Sequence, residues 1–387
     1  MTAQLLHFPD RPQFSPLSPD IGLYSQHPIA TRWLKQTVGK KAQFACVLGF
    51  TETGLLPGIS AAGATPADRQ FTAIADAEFL MQGAQPAPTF PLPPLTAGAS
   101  PVLISRAVIE ALNIPATLFN AGLLHPPTVP AIDLDGMPAR CVSTGHALDR
   151  PVVERLLGTG QHWGTILAQR HPDHWVMLGE CVVGGTTTAL GVLSGLGWEA
   201  RDRINSSHPT CNHDQKWAIV TQGLAQAMLP PDADPLAVIA AVGDPMQIAV
   251  AGMAIAASQH RPVLLAGGTQ MLAVHALMQA LRHHYGLDWD DAQVVVGTTR
   301  WVAEDPTGDT IGLANILQMP LLATQLSFAA AQAEALRAYE RGFVKEGVGA
   351  GGCAIAAHLL SKSGAWLCSQ TEQLLDERRR LERRPLR

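Results

Sequence analysis

Short apolar runs alternate along the chain with longer windows in which apolar residues recur at helical spacing. The apolar runs end at glycine or polar residues and lie at residues 42–50, 174–180, 262–268 and 292–300. Runs of this length are typical of buried strands, whereas a period near 3.6 residues is typical of helices. Helical windows lie at residues 67–81, 186–196, 215–229 and 269–281. The alternation predicts an α/β fold with a doubly wound, mostly parallel, Rossmann-like sheet.

The composition narrows the class of protein. Of the 387 residues, 47% are hydrophobic and 15% are charged, with a formal net charge of −5. Such a chain can bury a large core but has few basic residues for binding the phosphate backbone of nucleic acid. Its longest apolar stretch, residues 248–258, is well short of the roughly 20 residues that span a bilayer. Because the N-terminus also lacks a signal-peptide pattern, we expect a cytoplasmic protein that binds neither nucleic acid nor membrane.

Cysteine and histidine spacing gives little support for a bound metal. The six cysteines are scattered without a CxxC pair, which is typical of reduced thiols. His208, Cys211 and His213 lie close together in the sequence, and His283 and His284 form a second pair. Because neither HExxH nor paired CxxC is present, a structural metal is the less favoured interpretation, and we predict no metal and no cofactor.

The segment from Gly179 to Gly197 has the pattern of an anion-binding site. Glu180 ends an apolar run, and a turn of small residues then leads into a helical window with Gly184, Gly185, Thr186, Thr187 and Thr188. Glycine lets backbone N–H groups approach an oxyanion, threonine hydroxyls add donors, and the positive end of a helix favours negative charge. A Gly-Thr turn that only caps a packed helix would have the same pattern.

Other polar residues follow apolar runs or begin helical windows. Lys216 could supply a positive charge to the same phosphate, although a lysine on the surface is the ordinary interpretation. The remaining candidates for substrate contact end the third and fourth apolar runs and are Gly267, Gly268, Thr269, Thr298 and Thr299. Arg300 comes next and could bind a carboxylate or phosphate, or pair with an acid such as Asp305.

Glu346 stands immediately before a glycine-rich turn that begins with Gly347 and leads into an apolar helical window. A carboxylate held partly out of water at such a turn can have its pKa raised toward neutrality and act as a general base. A glutamate exposed at the start of a helix would look similar. We take Glu346 as the candidate catalytic residue and Gly347 as a candidate for substrate contact.

Three of these segments resemble the nicotinate-nucleotide:dimethylbenzimidazole phosphoribosyltransferases of cobalamin biosynthesis. GECVVGGTTTALG resembles the family's phosphate loop GEMGIGNTTxAAA, DPMQIAVAGMAIAASQHRPVLLAGG resembles its helix-strand unit, and VKEGVGAGGCAIA resembles its LGEGTGAAxA segment. The motifs occur in the family's order, so a joint chance match is far less probable than a match of one motif. FTETGLLPGISAAGATPADRQFTAIADAEFL and VVVGTTRWVAEDPTGD are similar to a divergent archaeal and cyanobacterial branch, which extends the resemblance over most of the chain.

The chain departs from the family both in its phosphate loop and in the acceptor half of the site. Val182 and Gly185 stand where the family usually has Gly and Asn. The family's N-terminal Asp-His-Gly element and its usual benzimidazole pocket are not recognisable. The identity of the acceptor base therefore stays open, and Thr51, Glu52, Thr53, Ser60 and Asp76 could line its pocket or could be ordinary turn and helix-cap residues.

The resemblance implies both a reaction and an organisation. Glu346 corresponds to the family's catalytic base, and a second group lies on or beside its nucleotide-phosphate site: Glu180, Gly184, Gly185, Thr186, Thr187 and Lys216. The implied reaction moves the ribose 5-phosphate of nicotinate mononucleotide to an azole base such as dimethylbenzimidazole or adenine. The implied assembly is a homodimer with a shared active site. The implied organisation has three parts. An N-terminal extension (1–40) contributes to a small helical subdomain, and an α/β phosphoribosyltransferase-like domain (41–345) follows. C-terminal helices (346–387) complete the active site and the small subdomain.

Two other functions fit parts of the sequence. Gly347, Gly349 and Gly352 spell GxGxxG, and Glu372 lies 20 residues beyond, as in nicotinamide-dinucleotide oxidoreductases. That fingerprint requires a preceding strand and a complete βαβ unit. The alternative without catalysis is a nucleotide-binding module that keeps the phosphate loop, which would bind nucleotide without turnover.

Overall fold

The structure is a computed structural model that describes residues 13–15 and 17–383. Its strands are β1 (Gln13–Ser15), β2 (Ser18–Ser25), β3 (Ala42–Gly49), β4 (Ala116–Gly122), β5 (Ile132–Asp133), β6 (Trp175–Cys181), β7 (Val263–Ala266), β8 (Val294–Thr299) and β9 (Leu321–Thr324). They form one sheet in the order β1-β2-β9-β8-β7-β6-β3-β4-β5, in which the β1–β2 and β2–β9 pairs are antiparallel and the other neighbouring pairs are parallel. The strand order reverses between β3 and β6, which confirms the predicted doubly wound sheet.

Helices follow or connect most of these strands. They are α1 (His27–Thr37), α2 (Pro66–Arg69), α3 (Thr72–Gln82), α4 (Val102–Leu112), α5 (Arg150–Arg170), α6 (Gly185–Gly195), α7 (His213–Ala227), α8 (Pro235–Val242), α9 (Pro245–Ser258), α10 (Thr269–Tyr285), α11 (Arg300–Ala303), α12 (Thr310–Ile316), α13 (Glu334–Arg337), α14 (Ala350–Leu359) and α15 (Gly364–Glu382). The window at 67–81, which we predicted as one helix, is divided between α2 and α3. No helix in the described part of the chain is both long and apolar enough to cross a membrane.

The central strands are buried on both faces, which explains why they are apolar throughout rather than alternating. In β3, Ala45 and Val47 pack into a core with helices α5 to α10, whereas Phe44, Cys46 and Leu48 pack into a second core with α1, α3, α4, α14 and α15. A parallel sheet covered by helices on both faces requires apolar side chains in both directions. The polar groups of the site are therefore at the ends of the strands.

Glycines allow close packing of α5 against the small-residue helix α9. An ideal Cβ added to Gly160 would lie 2.4 Å from the carbonyl oxygen of Ala249, and one added to Gly164 would lie 2.3 Å from that of Met253. Any larger residue at these two positions would force the helices apart. Close packing thus accounts for the small residues of α9.

The N-terminal segment differs from its prediction. Residues 13–15 and 18–25 were expected in a small helical subdomain, but they form β1 and β2 at the edge of the main sheet. Pro19 lies before Ile21–Ser25, the part of β2 that pairs with β9, so its missing N–H removes no bond from that ladder. The C-terminal helices α14 and α15 pack in the same core as α4. The parts of the predicted terminal segments at residues 1–12 and 384–387 lie outside the described residues.

Candidate functional site

A cleft with about 1040 Å³ of empty volume, partly open to solvent, lies beyond the carboxyl ends of β3, β6 and β7. This is the point where the strand order reverses, the usual place for a ligand in a doubly wound sheet. The predicted site residues that line the cleft are Glu180, Gly184, Gly185, Thr186, Gly268, Thr269, Glu346 and Gly347. The tertiary structure thus brings together the three motifs that are separated by up to about half of the chain.

Glu346 is held by a set of donors around its carboxylate. Its Oε2 accepts hydrogen bonds from Thr298 Oγ1 at 3.1 Å and from the backbone N–H of Thr299 at 3.0 Å. Its Oε1 accepts from the backbone N–H groups of Gly347 at 3.2 Å and Gly351 at 3.0 Å, the latter in the first turn of α14. Burial raises the pKa of Glu346 to about 7, against the opposing effect of these donors.

The loop that carries Glu346 has an unusual backbone. Val344, Lys345 and Val348 adopt φ values of 69°, 67° and 53°, which are unfavourable for residues with a side chain and most of all for β-branched valine. Such conformations persist where surrounding contacts fix them. Here Thr299 Oγ1 donates to the Lys345 carbonyl at 2.6 Å, and the Val348 N–H donates to the Glu180 carbonyl at 3.1 Å. These bonds fix the loop relative to β8 and β6.

Glu180, at the end of β6, faces the same cleft with far fewer partners. Its carboxylate accepts one hydrogen bond from the described residues, from the backbone N–H of Val182 at 3.2 Å. Burial, together with the negative charges of Glu346 and Asp244, raises the pKa of Glu180 to about 8. The side chain is therefore mostly protonated at neutral pH and can donate a hydrogen bond to a ligand.

Asp76 and Asp244 add further buried carboxyl groups. Asp76 lines the cleft and accepts from Ser100 Oγ at 2.7 Å, whereas Asp244 caps α9 and accepts from Thr188 Oγ1 at 2.5 Å. Burial raises the pKa of each to about 6. Asp76 was a candidate for the acceptor pocket, and the structure places it in the cleft.

The start of α6 presents free backbone donors. Gly184 has φ of 89°, and an ideal Cβ on it would lie 2.8 Å from the backbone nitrogen of Gly54, in the loop after β3. Both features require glycine at this turn. Within the described residues, the N–H groups of Gly184 and Thr186 have no hydrogen-bond acceptor. Free N–H groups at a helix start form a site for an anion.

Lys216 does not occupy the position that we expected. It is fully buried in α7, its Nζ donates to the Asn205 carbonyl, and it is absent from the cleft lining. The interpretation as a surface lysine is therefore wrong, and direct contact with a phosphate in the cleft would require movement of the Asn205 segment. Burial lowers the pKa of Lys216 to about 7.

Lys345, which we did not single out from the sequence, lines the cleft instead. Its Nζ lies 2.5 Å from Asp305 Oδ2, and both side chains are 2% exposed. Asp305 thus pairs with Lys345, whereas Arg300 pairs with Glu340. Lys345 stands where the resembling motif has glycine, and its side chain became recognisable as part of the site only in the fold.

The remaining predicted residues lie behind the cleft or around it. Thr298 and Thr299 hold Glu346 rather than line the cleft, and Thr187 and Gly267 are also outside the lining. Ser60 lines the cleft, but Thr51, Glu52 and Thr53 form a turn after β3 in which Thr51 Oγ1 accepts from the Thr53 N–H at 3.2 Å. Those three residues are therefore turn residues rather than part of the cleft lining.

The described residues do not have the geometry that a metal site or a dinucleotide-binding unit would need. Within residues 13–15 and 17–383, no group of three His, Cys, Asp or Glu side chains is placed to hold a metal ion. His208 and His213 bond through Nε2 to the carbonyls of Gly58 and Thr307. The GxGxxG segment follows turns rather than a strand, and the described chain beyond it forms α14 and α15 without a further strand. The βαβ unit that a dinucleotide fingerprint requires is missing from this part of the chain.

The sequence and the fold are both similar to those of known proteins. Residues 117–286 match the family model described as phosphoribosyltransferase. A UPF0284 protein of Cyanothece sp. (strain PCC 7425) is 63% identical over 340 residues, covering 88% of this chain and 92% of the relative. A UPF0284 protein of Trichodesmium erythraeum (strain IMS101) is 61% identical over 343 residues, covering 88% of this chain and 93% of the relative.

Two solved structures from Thermus thermophilus share the fold. One, CobT, has a TM-score of 0.57 and 18% identity, and covers 87% of this chain and 90% of its own. The other, a nicotinate-nucleotide-dimethylbenzimidazole phosphoribosyltransferase, has a TM-score of 0.54 and 20% identity, and covers 87% of this chain and 89% of its own. The chain therefore belongs to the UPF0284 proteins, and its residues 117–286, which include the motif around Glu180, match the phosphoribosyltransferase model.

Proposed function

We propose that this protein transfers the ribose 5-phosphate of nicotinate mononucleotide to an azole base, giving an α-ribosyl azole 5'-phosphate and nicotinate. The acceptor is dimethylbenzimidazole, a related benzimidazole or adenine, for use as the lower ligand of a cobamide. The observation that carries the proposal is that a partly buried carboxylate with a pKa near neutrality and the free N–H groups of a helix start lie at one cleft. A phosphoribosyl transfer needs both features.

In this proposal, the 5'-phosphate binds to the backbone N–H groups of Gly184 and Thr186 at the start of α6. The helix end supplies the favourable charge, since Lys216 is outside the cleft lining. The nucleotide then extends toward Glu346, which brings the anomeric carbon of the ribose close to the base. Holding the two substrates in one geometry supplies a large part of the rate.

The chemical step forms one carbon–nitrogen bond and breaks another. A ring nitrogen of the azole attacks the anomeric carbon, and the bond from that carbon to the nicotinate nitrogen breaks. The electron pair stays on nicotinate, whose pyridinium ring leaves as a neutral pyridine, so the leaving group needs no proton. The N–H proton of the azole moves to Glu346. Glu180, mostly protonated at neutral pH, donates a hydrogen bond to the bound nucleotide.

The assembly is proposed to be a homodimer with a shared active site. Sedimentation equilibrium on the full chain distinguishes a mass near 82 kDa, twice the 41.1 kDa of one chain, from a monomer. A monomer with full turnover would reject the shared site.

The test of the reaction is a direct analysis of products. The pure protein is incubated with nicotinate mononucleotide and separately with dimethylbenzimidazole, other benzimidazoles, adenine and phenols, and products are separated by anion exchange and weighed by mass spectrometry. We expect a new ribosyl phosphate with one nicotinate released per product. Binding of the nucleotide without turnover across the panel would reject the transferase and favour a nucleotide-binding module, which stays the second candidate because the family's acceptor-side elements are not recognisable in the sequence.

A further inference from the structure

Gln270, the second residue of α10, reaches across the cleft wall to the start of α6. An ideal Cβ on Gly185, the first residue of α6, would lie 1.8 Å from Gln270 Oε1 and 3.0 Å from its Nε2. Only glycine at position 185 leaves room for this amide. The amide therefore lies against Gly185, the residue between Gly184 and Thr186, and Gln270 lines the cleft.

Polar atoms at the start of α10 have no partner in the protein. Gln270 Oε1 and Thr269 Oγ1 are both buried, and neither has a hydrogen-bond partner within the described residues. Thr269 is 2% exposed, and both residues line the cleft. A buried polar atom without a partner is costly and uncommon in folded proteins. Unpartnered atoms at a cleft wall therefore indicate a ligand that supplies the missing bonds.

The chemistry of the two helix starts differs. The backbone N–H groups at α6 are donors only, which suits a phosphate. The Gln270 amide offers an acceptor as well as a donor, and its carbonyl oxygen requires a ligand atom that carries a proton. A phosphate dianion has no such proton, whereas a sugar hydroxyl does. The group beside the phosphate must therefore be able to donate a hydrogen bond.

We propose that Gln270 recognises a hydroxyl group of the ribose ring and makes the site selective for ribonucleoside 5'-monophosphates over their deoxy counterparts. This inference rests on the proposed function, because it places the sugar of that nucleotide substrate. Thr269 Oγ1 completes the contact from the same turn of α10. Gly185 has a distinct role, since its missing side chain is the space that the amide occupies.

The test measures equilibrium binding of nicotinate mononucleotide and of its 2'-deoxy and 3'-deoxy analogues by calorimetry. We expect the unaltered protein to prefer the ribonucleotide over at least one analogue by about 10-fold, the worth of one hydrogen bond. Gln270→Leu should remove that preference by weakening only the ribonucleotide. The matched control is Gln279→Leu in the same helix, since Gln279 bonds to the Leu317 carbonyl away from the cleft and should leave the preference unchanged.

A second variant tests whether the amide of Gln270 needs the space that Gly185 leaves. Gly185→Ala places a Cβ where the amide lies and should reduce the preference as Gln270→Leu does. The double variant should lose nothing further, because both changes remove the same contact. Thermal unfolding of each variant shows that it is folded before its binding is compared.

The outcomes separate this inference from the proposed function. Equal affinity of the unaltered protein for ribo and deoxy ligands, or an unchanged preference in Gln270→Leu, would overturn the inference even if product forms. A preference that depends on Gln270 in a protein that forms no product would support the inference and reject the proposed transfer.

Discussion

Glu180 and Glu346 share one cleft but are held in opposite ways. Glu346 lies at the start of α14 and accepts hydrogen bonds from Thr298 and from the N–H groups of Thr299, Gly347 and Gly351. Glu180 ends a strand and accepts one bond, from the Val182 N–H. Hydrogen bonds to a carboxylate favour its charged form, whereas burial disfavours it. The pKa is accordingly about 7 for Glu346 and about 8 for Glu180.

The difference suits the two residues to the separate tasks that we propose for them. Near neutral pH, a substantial fraction of Glu346 is ionised and can take a proton. Glu180 is mostly protonated at that pH and can donate a hydrogen bond. Environments that push the pKa values of neighbouring carboxyl groups apart are a general way to obtain a base and a hydrogen-bond donor at the same pH. The surrounding N–H groups and the neighbouring negative charges, rather than the residue type, give the two carboxyl groups different pKa values.

The largest effect is expected from removing the proposed base. Glu346→Gln keeps the shape of the side chain but cannot accept the azole proton, so turnover should fall by about 10² to 10⁴-fold. Nucleotide affinity should stay nearly unchanged, because the phosphate binds at α6. Steady-state kinetics and calorimetry measure the two quantities. Normal turnover in this variant would remove Glu346 from the mechanism.

A second prediction concerns the support of the Glu346 loop. Lys345→Met leaves Asp305 buried without its countercharge and should reduce the free energy of unfolding by about 3 to 5 kcal/mol. The double variant Lys345→Met with Asp305→Asn should recover most of that loss, since no charge remains unpaired. Urea unfolding measures both.

The control for this prediction is a partly exposed ion pair on α15. Arg378→Ala breaks the pair with Glu382 and should cost less than about 1 kcal/mol. A double variant at positions 345 and 305 that is as unstable as the single one would show that the two charges do not depend on each other.

We expect Glu180 to lower the free energy of unfolding at alkaline pH. Its pKa of about 8 lies above the ordinary value of 4.5, so the folded state holds a proton that the unfolded state releases, and stability falls as pH rises between these values. Glu180→Gln should therefore stabilise the protein at pH 9 by roughly 2 to 5 kcal/mol and have little effect at pH 4. Urea unfolding at the two pH values measures it. An equal effect at both would contradict the raised pKa.

The smallest expected effect concerns how kcat/KM depends on pH. Because the base must be ionised, kcat/KM should rise about 10-fold per pH unit below the Glu346 pKa of about 7 and level off above it. The substrate phosphate titrates near pKa 6, so nucleotide affinity must be measured across the same range and separated from turnover. A residual rate in Glu346→Gln that kept the same slope would assign the titration to another group.

The sequence predicted four central strands of the sheet and the motif residues of the cleft because each of these signals is local. Apolar runs identified β3, β6, β7 and β8, and glycine turns after them identified the starts of α6 and α10. The direction in which a side chain points could not be predicted from its neighbours in the sequence. Lys216 was predicted at the phosphate and lies buried behind Asn205, whereas Lys345 and Gln270, which had no motif pattern of their own, line the cleft.

The edge of the sheet shows the same limit. A proline-rich N-terminal segment did not predict β1 and β2, because pairing with β9 depends on a strand about 300 residues away and not on the local pattern. Long-range pairing of this kind leaves little trace in a single sequence.

By itself, the sequence determined the class of fold, the family and the identity of Glu346 as the candidate base, because periodicity, turn glycines and motif order are properties of neighbouring residues. Only the tertiary structure decided which side chains share the cleft and in which protonation state. Those properties depend on burial and on the distances between groups far apart in the chain, as with Glu180 and Glu346, whose pKa values are set by the donors and charges around them.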